Sequence, residues 1–337
     1  MTFSIDIATV WAFIIAFAVF VYVVMDGFDL GLGILFPLFP AKADRDVIMN
    51  SVAPVWDGNE TWLVLGGGGL MAAFPLAYAV LMPALYTPII AMLVGLIFRG
   101  VAFEFRWRTT QTTRNRWDIA FAGGSWLAAL AQGIALGAIL QGVHVEGRHY
   151  AGGWWDWLTP FSILTGLSLA IGYALLGATW LVLKTESELR EKTYSISWYL
   201  LFAMLGAIGV VSIATPFLHI QYAQRWFTWP NVVLTAPVPL ALAVVAVLLL
   251  RSLAEKKDSQ PFFLTLALFA LSYAGLGISM YPFIVPQSIT IWQAASPKNS
   301  QIFMLVGVAG LIPLILGYTG WAYWVFRGKV RPGSGYH

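Results

Sequence analysis

Five carboxylates stand out in a chain that is otherwise strongly apolar. Asp26 and Asp29 lie in Met25-Asp26-Gly27-Phe28-Asp29-Leu30-Gly31, and Asp57 and Glu60 lie in Trp56-Asp57-Gly58-Asn59-Glu60-Thr61-Trp62. Glu104 follows in Phe98-Arg99-Gly100-Val101-Ala102-Phe103-Glu104-Phe105-Arg106. Within each pair the spacing is three residues, which places both acids on one face of a continuous helix. A charge near the centre of a bilayer costs about 2.5 to 3.5 kcal/mol even on lenient insertion scales, so acids in or beside apolar runs need a reason. Partial burial raises a carboxyl pKa towards neutrality, where the group exchanges protons, so acids gathered at one membrane face suit proton or cation entry. Structural readings stand beside this one. Asp57 and Glu60 fit an N-cap and its N3 partner in a capping box. Asp29 fits a pair with Lys42 or Arg45, and Glu104 a pair with Arg99 or Arg106.

Other chemistries find little support. Cysteine is absent, which removes disulfides, iron-sulfur ligation and thiol catalysis together. His144 and His149 fall in a polar loop, His219 at a helix end and His337 at the terminus, so no histidine sits at mid-span to ligate haem, and no metal site is expected. Met25, Met71, Met92, Met204, Met280 and Met304 read as packing residues. The run Gly66-Gly67-Gly68-Gly69 lacks the Lys-Ser or Lys-Thr of a phosphate loop and signals close helix approach instead. No soluble stretch is long enough for a nucleotide-binding domain.

The elements that must hold the acids follow from composition. Apolar residues make up 59% of 337, charged residues 10%, and the mean hydropathy is +0.76, so lipid is the solvent for most of the chain. The pattern predicts nine membrane spans: Ala8 to Phe36, Ser51 to Ala73, Leu76 to Phe98, Trp117 to Val143, Trp157 to Leu183, Ile196 to Leu218, Asn231 to Leu250, Pro261 to Phe283 and Ile302 to Phe326. The expected fold is an all-α integral membrane protein, two four-helix bundles plus one peripheral helix, in a single polytopic domain over residues 1–337. The first run opens without a basic n-region or cleavage site, so a removable signal peptide is not expected.

Of the 19 Lys and Arg residues, three (Arg148, Arg225 and Lys298) fall on one side of this topology and the rest on the other. That bias puts the N-terminus outside and the C-terminus in the cytoplasm, and accounts for the +3 net charge without a nucleic-acid partner. All five acids then come out at the inner side, with Asp26 near the inner surface. The tightest boundary lies between the second and third spans: Leu63 to Phe98 reaches only about 54 Å as helix, short of two crossings, so the second span must begin near Ser51. Trp154, Trp155, Trp157, Trp321, Tyr323 and Trp324 read as interface anchors. Gly123, Gly124, Gly133, Gly137, Gly166, Gly172 and Gly177 read as helix-packing positions, and Pro237, Pro239, Pro282 and Pro313 as kinks.

The three acidic segments, in their order and spacing and in a chain of this length, resemble subunit II of cytochrome bd-type quinol oxidases. The compact chain looks more like the cyanide-insensitive branch of that family. The motifs are concentrated in the first 110 or so residues, and the number of spans carries the likeness beyond them. The resemblance implies a haem-free subunit packed against a haem-bearing subunit I, which holds b haems and a high-spin b or d haem, oxidises quinol and reduces dioxygen to water. It further implies a cytoplasmic proton path that includes Asp57, and the expected path residues are Asp57, Glu104, which falls where the family can have Asp, Asp26, Asp29 and Glu60. Trp62 matches a tryptophan associated with oxygen access and also reads as a packing residue. Small single-helix subunits and a bound quinone or lipid are open. A cation-coupled secondary transporter and a purely structural membrane subunit are the competing function classes.

Overall fold

The computed structural model describes residues 6–331, so His337 lies outside the described residues. Its first helix, α1 (Ile7–Leu35), starts where the Asp6 carboxylate accepts from Thr9 N at 2.7 Å, an N-cap that satisfies a free helix-end donor. There follow α2 (Lys42–Asn50), α3 (Trp56–Ala73), α4 (Pro75–Ala84), α5 (Tyr86–Arg108) and α6 (Gln111–Gln141). A short hairpin, β1 (Val145–Glu146) with β2 (His149–Tyr150), leads to α7 (Pro160–Lys184), which opens on a Thr159/Ser162 capping box with proline in its first turn. The remaining elements are α8 (Ser187–Leu218), α9 (Ile220–Phe227), α10 (Asn231–Thr235), α11 (Pro237–Ala254), α12 (Gln260–Met280), the hairpin β3 (Phe283–Val285) with β4 (Ile289–Thr290), α13 (Ile291–Ala294) and α14 (Lys298–Val325).

Among the described residues, eight segments are long and apolar enough to cross a membrane: α1, α5, α6, α7, α8, α10 with α11, α12 and α14. Helix α3 packs with them and is less apolar, because it carries Asp57, Asn59, Glu60 and four successive glycines. It runs from beside Arg99 at one end to the opposite end, where Ala73 O accepts from Ser296 N at 2.9 Å. The two bundles are as expected. In the first, α1 packs on α3 and α6, and α5 on α6; in the second, α7, α8, α11 and α12 pack on one another, and α7 joins the two by packing on α1 and α6. Peripheral α14 touches α1 and α3 and turns most of its surface outward.

Close approach depends on glycine where α1 meets α7. A Cβ on Gly31 would run into the Tyr173 carbonyl and the Gly177 backbone, and one on Gly177 into the Gly31 backbone. Gly124, Gly133, Gly137, Gly166 and Gly172 also face a neighbouring helix, whereas Gly123 faces open space. In the four-glycine run, Gly66 and Gly69 abut Val19 and Ile15 of α1 while Gly67 and Gly68 face outward.

Three expectations need correction. The third span is not Leu76 to Phe98: residues 75–84 form the separate helix α4, which packs on β2, β3 and α13 away from the basic end. The chain breaks at Phe74 and again at Leu85, both non-helical, and the crossing helix begins at Tyr86. Of the four prolines expected to kink helices, only Pro313 does lie inside one. Pro237 and Pro239 open α11, where the missing N–H costs nothing, and Pro282 lies between α12 and β3. Tyr323 is no interface anchor, because it turns inward to hydrogen-bond Asn59, while Trp321 and Trp324 beside it are exposed.

Candidate functional site

Because α5 starts at Tyr86, Arg99 falls within the helix rather than at its end, and it becomes the centre of a buried ion network. Its Nη1 lies 2.8 Å from Asp26 Oδ1 on α1, and its Nη2 donates to Glu60 Oε1 on α3 at 2.6 Å. The Asp26 contact is an ion pair by distance but lies off a hydrogen-bond direction, so both Asp26 oxygens lack a hydrogen-bond partner among the described residues. Asp26 and Arg99 are each almost wholly buried. Since α1 continues to Leu35, Asp26 sits about 14 Å short of that helix's basic end.

Asp29, also buried, accepts from Asn59 Nδ2 at 2.8 Å, and Asn59 in turn accepts from the Tyr323 hydroxyl at 2.9 Å. A crevice too narrow for water separates Asp29 and Arg99 from Val52, Trp56, Phe103 and Phe121. Two turns nearer the start of α1, Tyr22 accepts from Gln132 Nε2 at 2.7 Å, and Gln132 Oε1 accepts from the Tyr173 hydroxyl at 2.7 Å. Buried charges persist when they are paired, and here three acids and one arginine from three helices meet.

The structure brings Asp26, Asp29 and Glu60 together around Arg99 and leaves Asp57 and Glu104 out. Both of these are exposed on the chain's surface. Their neighbours meet, because Trp56, next to Asp57, packs against Phe103, next to Glu104, with ring centroids 5.2 Å apart and the rings tilted by 31°. Exposure is graded along α3: Asp57 is open, Glu60 is 31% exposed, and its partner Arg99 is 3% exposed.

The competing structural pairings are not made. The N-cap of α3 is Val55 and no side chain caps it, so Asp57 and Glu60 form no capping box. Arg45 pairs with Asp118 at 2.8 Å rather than with Asp29. Arg106 pairs with Asp118 at 2.6 Å and Asp46 at 2.7 Å rather than with Glu104. This second network ties α2, α5 and α6 together at the basic end. Trp62 is buried against Phe17, Ala18, Val21 and Tyr22, and its indole N–H has no acceptor among the described residues. Residue types alone gave no sign of Asn59, Gln132 or Tyr323. Arg99 and Asp118 were legible in principle, as charges within or at the edge of apolar runs.

Comparison with known proteins gives this geometry its setting. Residues 7–326 match the family described as cytochrome bd terminal oxidase subunit II. The chain belongs to that family. It is similar to the cytochrome bd-I ubiquinol oxidase subunit 2 of Escherichia coli K12, with 29% identity over 95% of this chain and 94% of the relative. It is 28% identical to the cytochrome bd ubiquinol oxidase subunit 2 of Bacillus subtilis over 95% of this chain and 96% of the relative. Its fold matches a chain of the bd oxidase of Geobacillus thermodenitrificans with a TM-score of 0.69 at 11% identity, covering 95% of this chain and 98% of the other. As a subunit II of the cytochrome bd family, the chain is a multi-pass component of a quinol oxidase in the bacterial inner membrane, with a haem-bearing subunit I as partner. The Arg99 network thus lies inside subunit II, while the Asp57 and Glu104 face is free in this chain for contact with something else.

Proposed function

We propose that this chain is the haem-free half of a quinol:dioxygen oxidoreductase, with its basic end in the cytoplasm, and that its α3 and α5 face passes cytoplasmic protons to the oxygen-reducing haem of subunit I. Reduction of dioxygen to water consumes protons, and a haem buried in the membrane needs exchangeable groups to deliver them. The observation that carries this reading is the graded exposure of Asp57 and Glu60 on α3, with Glu104 exposed on the neighbouring helix. In that arrangement Asp57 and Glu104 exchange with the cytoplasm and Glu60 receives. Asp26 and Asp29 act as fixed counter-charges that hold Arg99, which stays protonated and relays no proton. Trp62, packed in the apolar seam between α1 and α3, borders the path that dioxygen takes.

The haems, the quinol site and the oxygen chemistry belong to the partner; small single-helix subunits and lipid, with any bound quinone, pack on the outward faces. A secondary transporter would hold its acids in broken helices near the midplane of two related halves. Here they gather at one end.

The test is the double variant Asp57→Asn with Glu104→Gln in the assembled oxidase. Quinol-driven oxygen consumption falls about ten-fold or more, as for loss of a proton-transfer group, with unchanged haem spectra. Full turnover in that variant contradicts the reading. Expression of this chain without its partner yields no stoichiometric haem, and haem at one per chain contradicts the haem-free assignment. A cysteine placed at Thr110 is labelled from the cytoplasmic side alone, and labelling from outside overturns the orientation.

A further inference from the structure

We propose that the basic end of subunit II holds a phosphate group, presented by an anionic lipid of the adjoining leaflet, in the cavity between α7, the segment after α2 and the segment that follows α14. The cavity measures about 320 Å³, inside the range of about 300–1,000 Å³ occupied by small-ligand sites. Its polar lining includes Lys184, Lys329, Ser51 and Asn50, and its aromatic walls are Trp180 and Tyr323.

The charge balance calls for an anion. Lys184 is 5% exposed, and its ammonium lies 5.0 Å from the centre of the Trp180 ring. Its hydrogen-bond acceptors are the carbonyls of Phe326 and Gly328, and no carboxylate lies within ion-pair distance among the described residues. A buried cation held by neutral carbonyls alone is costly unless a counter-charge joins it. Two carbonyls also leave one ammonium proton to spare. The neighbouring charges do not supply the counter-charge: Asp258 is shared by Lys329 at 2.5 Å and Arg190 at 2.9 Å, two cations on one carboxylate. The cavity and its rim therefore carry an excess of positive charge at the end of the molecule where basic residues collect, the setting in which basic pockets between membrane helices take lipid headgroups.

A lipid fits the shape as well as the charge. Val325 both lines the cavity and is 46% exposed on the outward side of α14. A phosphate beside Lys184 thus leaves acyl chains lying along α14, next to exposed Trp321 and Trp324. The segment after α14 is already pinned to this spot, with Val330 N donating to Lys184 O at 2.8 Å and Lys329 Nζ to Thr185 O at 3.2 Å. Occupancy would fasten α14 to α7 through a shared ligand.

The experiment uses the delipidated subunit I and II complex in mild detergent. Native mass spectrometry follows retention of dioleoylphosphatidylglycerol and of dioleoylglycerol, which has the same chains without the phosphate. Equilibrium dialysis follows labelled inorganic phosphate. The expected result is phosphatidylglycerol bound in preference to dioleoylglycerol, with affinity lowered about ten-fold or more in Lys184→Gln by loss of a charge-assisted hydrogen bond, and kept in Lys184→Arg. Binding of inorganic phosphate with the same dependence on Lys184, without lipid retention, supports the phosphate site and assigns it to a soluble anion. Should Lys184→Gln fail to assemble, the contrast between the two lipids on the unmodified complex decides alone. Equal retention of both lipids with no phosphate bound overturns the proposal, as does undiminished binding in an assembled Lys184→Gln.

Discussion

The Arg99 network and the Asp57–Glu104 face use the same residue types at the same end of the same helices, yet they differ in what completes them. Around Arg99 the counter-charges come from within the chain: Asp26 from α1 and Glu60 from α3 are both at ion-pair distance. On the outer side of α3 and α5, Asp57 and Glu104 are open, and among the described residues neither has a cation at ion-pair distance. One region is finished when subunit II folds, and the other waits for a second surface or for solvent. The contrast teaches that an acid in a membrane span marks chemistry only after its partners are known. Asp26, the most deeply buried acid here, is already paired.

The largest effect is expected from breaking the finished region. Arg99→Leu strands Asp26 and Glu60 and should cost about 3–5 kcal/mol, the loss typical of a broken buried pair. Little monodisperse oxidase should survive size-exclusion chromatography, whereas Arg99→Lys should recover part of the yield. A smaller loss, about 1.5–3 kcal/mol for a charge-assisted hydrogen bond, is expected from Asp118→Asn, which weakens its bonds to Arg45 and Arg106 but leaves Arg106 on Asp46. A lowered thermal midpoint with normal turnover is the check. Asp29→Asn should change stability by about 1 kcal/mol or less, because an amide oxygen still accepts from Asn59 and a buried charge is removed. Near-normal turnover in that variant would sharpen the division, and a collapse of turnover with intact haem spectra would move Asp29 to the proton-carrying side.

The smallest expected effect lies at the exposed rim. Slight desolvation raises the Asp258 pKa, but the Lys329 hydrogen bond and the charges of Lys329 and Arg190 outweigh it, leaving the carboxyl below its ordinary value. A depressed folded-state pKa contributes stability that is fully present above the unfolded value of about 3.9 and is lost as pH falls through the folded value. The group is partly exposed, so solvent screening keeps the contribution small. The difference in melting midpoint between the unmodified oxidase and Asp258→Asn should therefore be slight at neutral pH and vanish in strong acid.

Much of the fold was legible because lipid imposes a simple rule, about 20 apolar residues for each crossing. The rule misplaced α5 where it met an apolar stretch that does not cross. Residues 75–84 are as hydrophobic as a span; Pro75 marks the break at Phe74, but the one at Leu85 carries no strong composition signal. That displacement by ten residues hid Arg99: read as a flanking charge it reported orientation, and inside α5 it organises three acids. The acids themselves were visible by type and spacing, but which of them share a cation depends on helix rotation and tertiary contacts, which spacing does not encode. Asn59 and Tyr323, 264 positions apart, meet only because α14 lies against α3.

The most direct test of the account is single-residue replacement at Asp57 in the assembled oxidase, following quinol-driven oxygen consumption and proton uptake together. Asp57→Asn keeps size and hydrogen-bonding capacity while ending proton exchange. Turnover should fall about ten-fold or more, with normal assembly and haem spectra, and recover in Asp57→Glu. An assembled Asp57→Asn oxidase with full turnover and full proton uptake contradicts it.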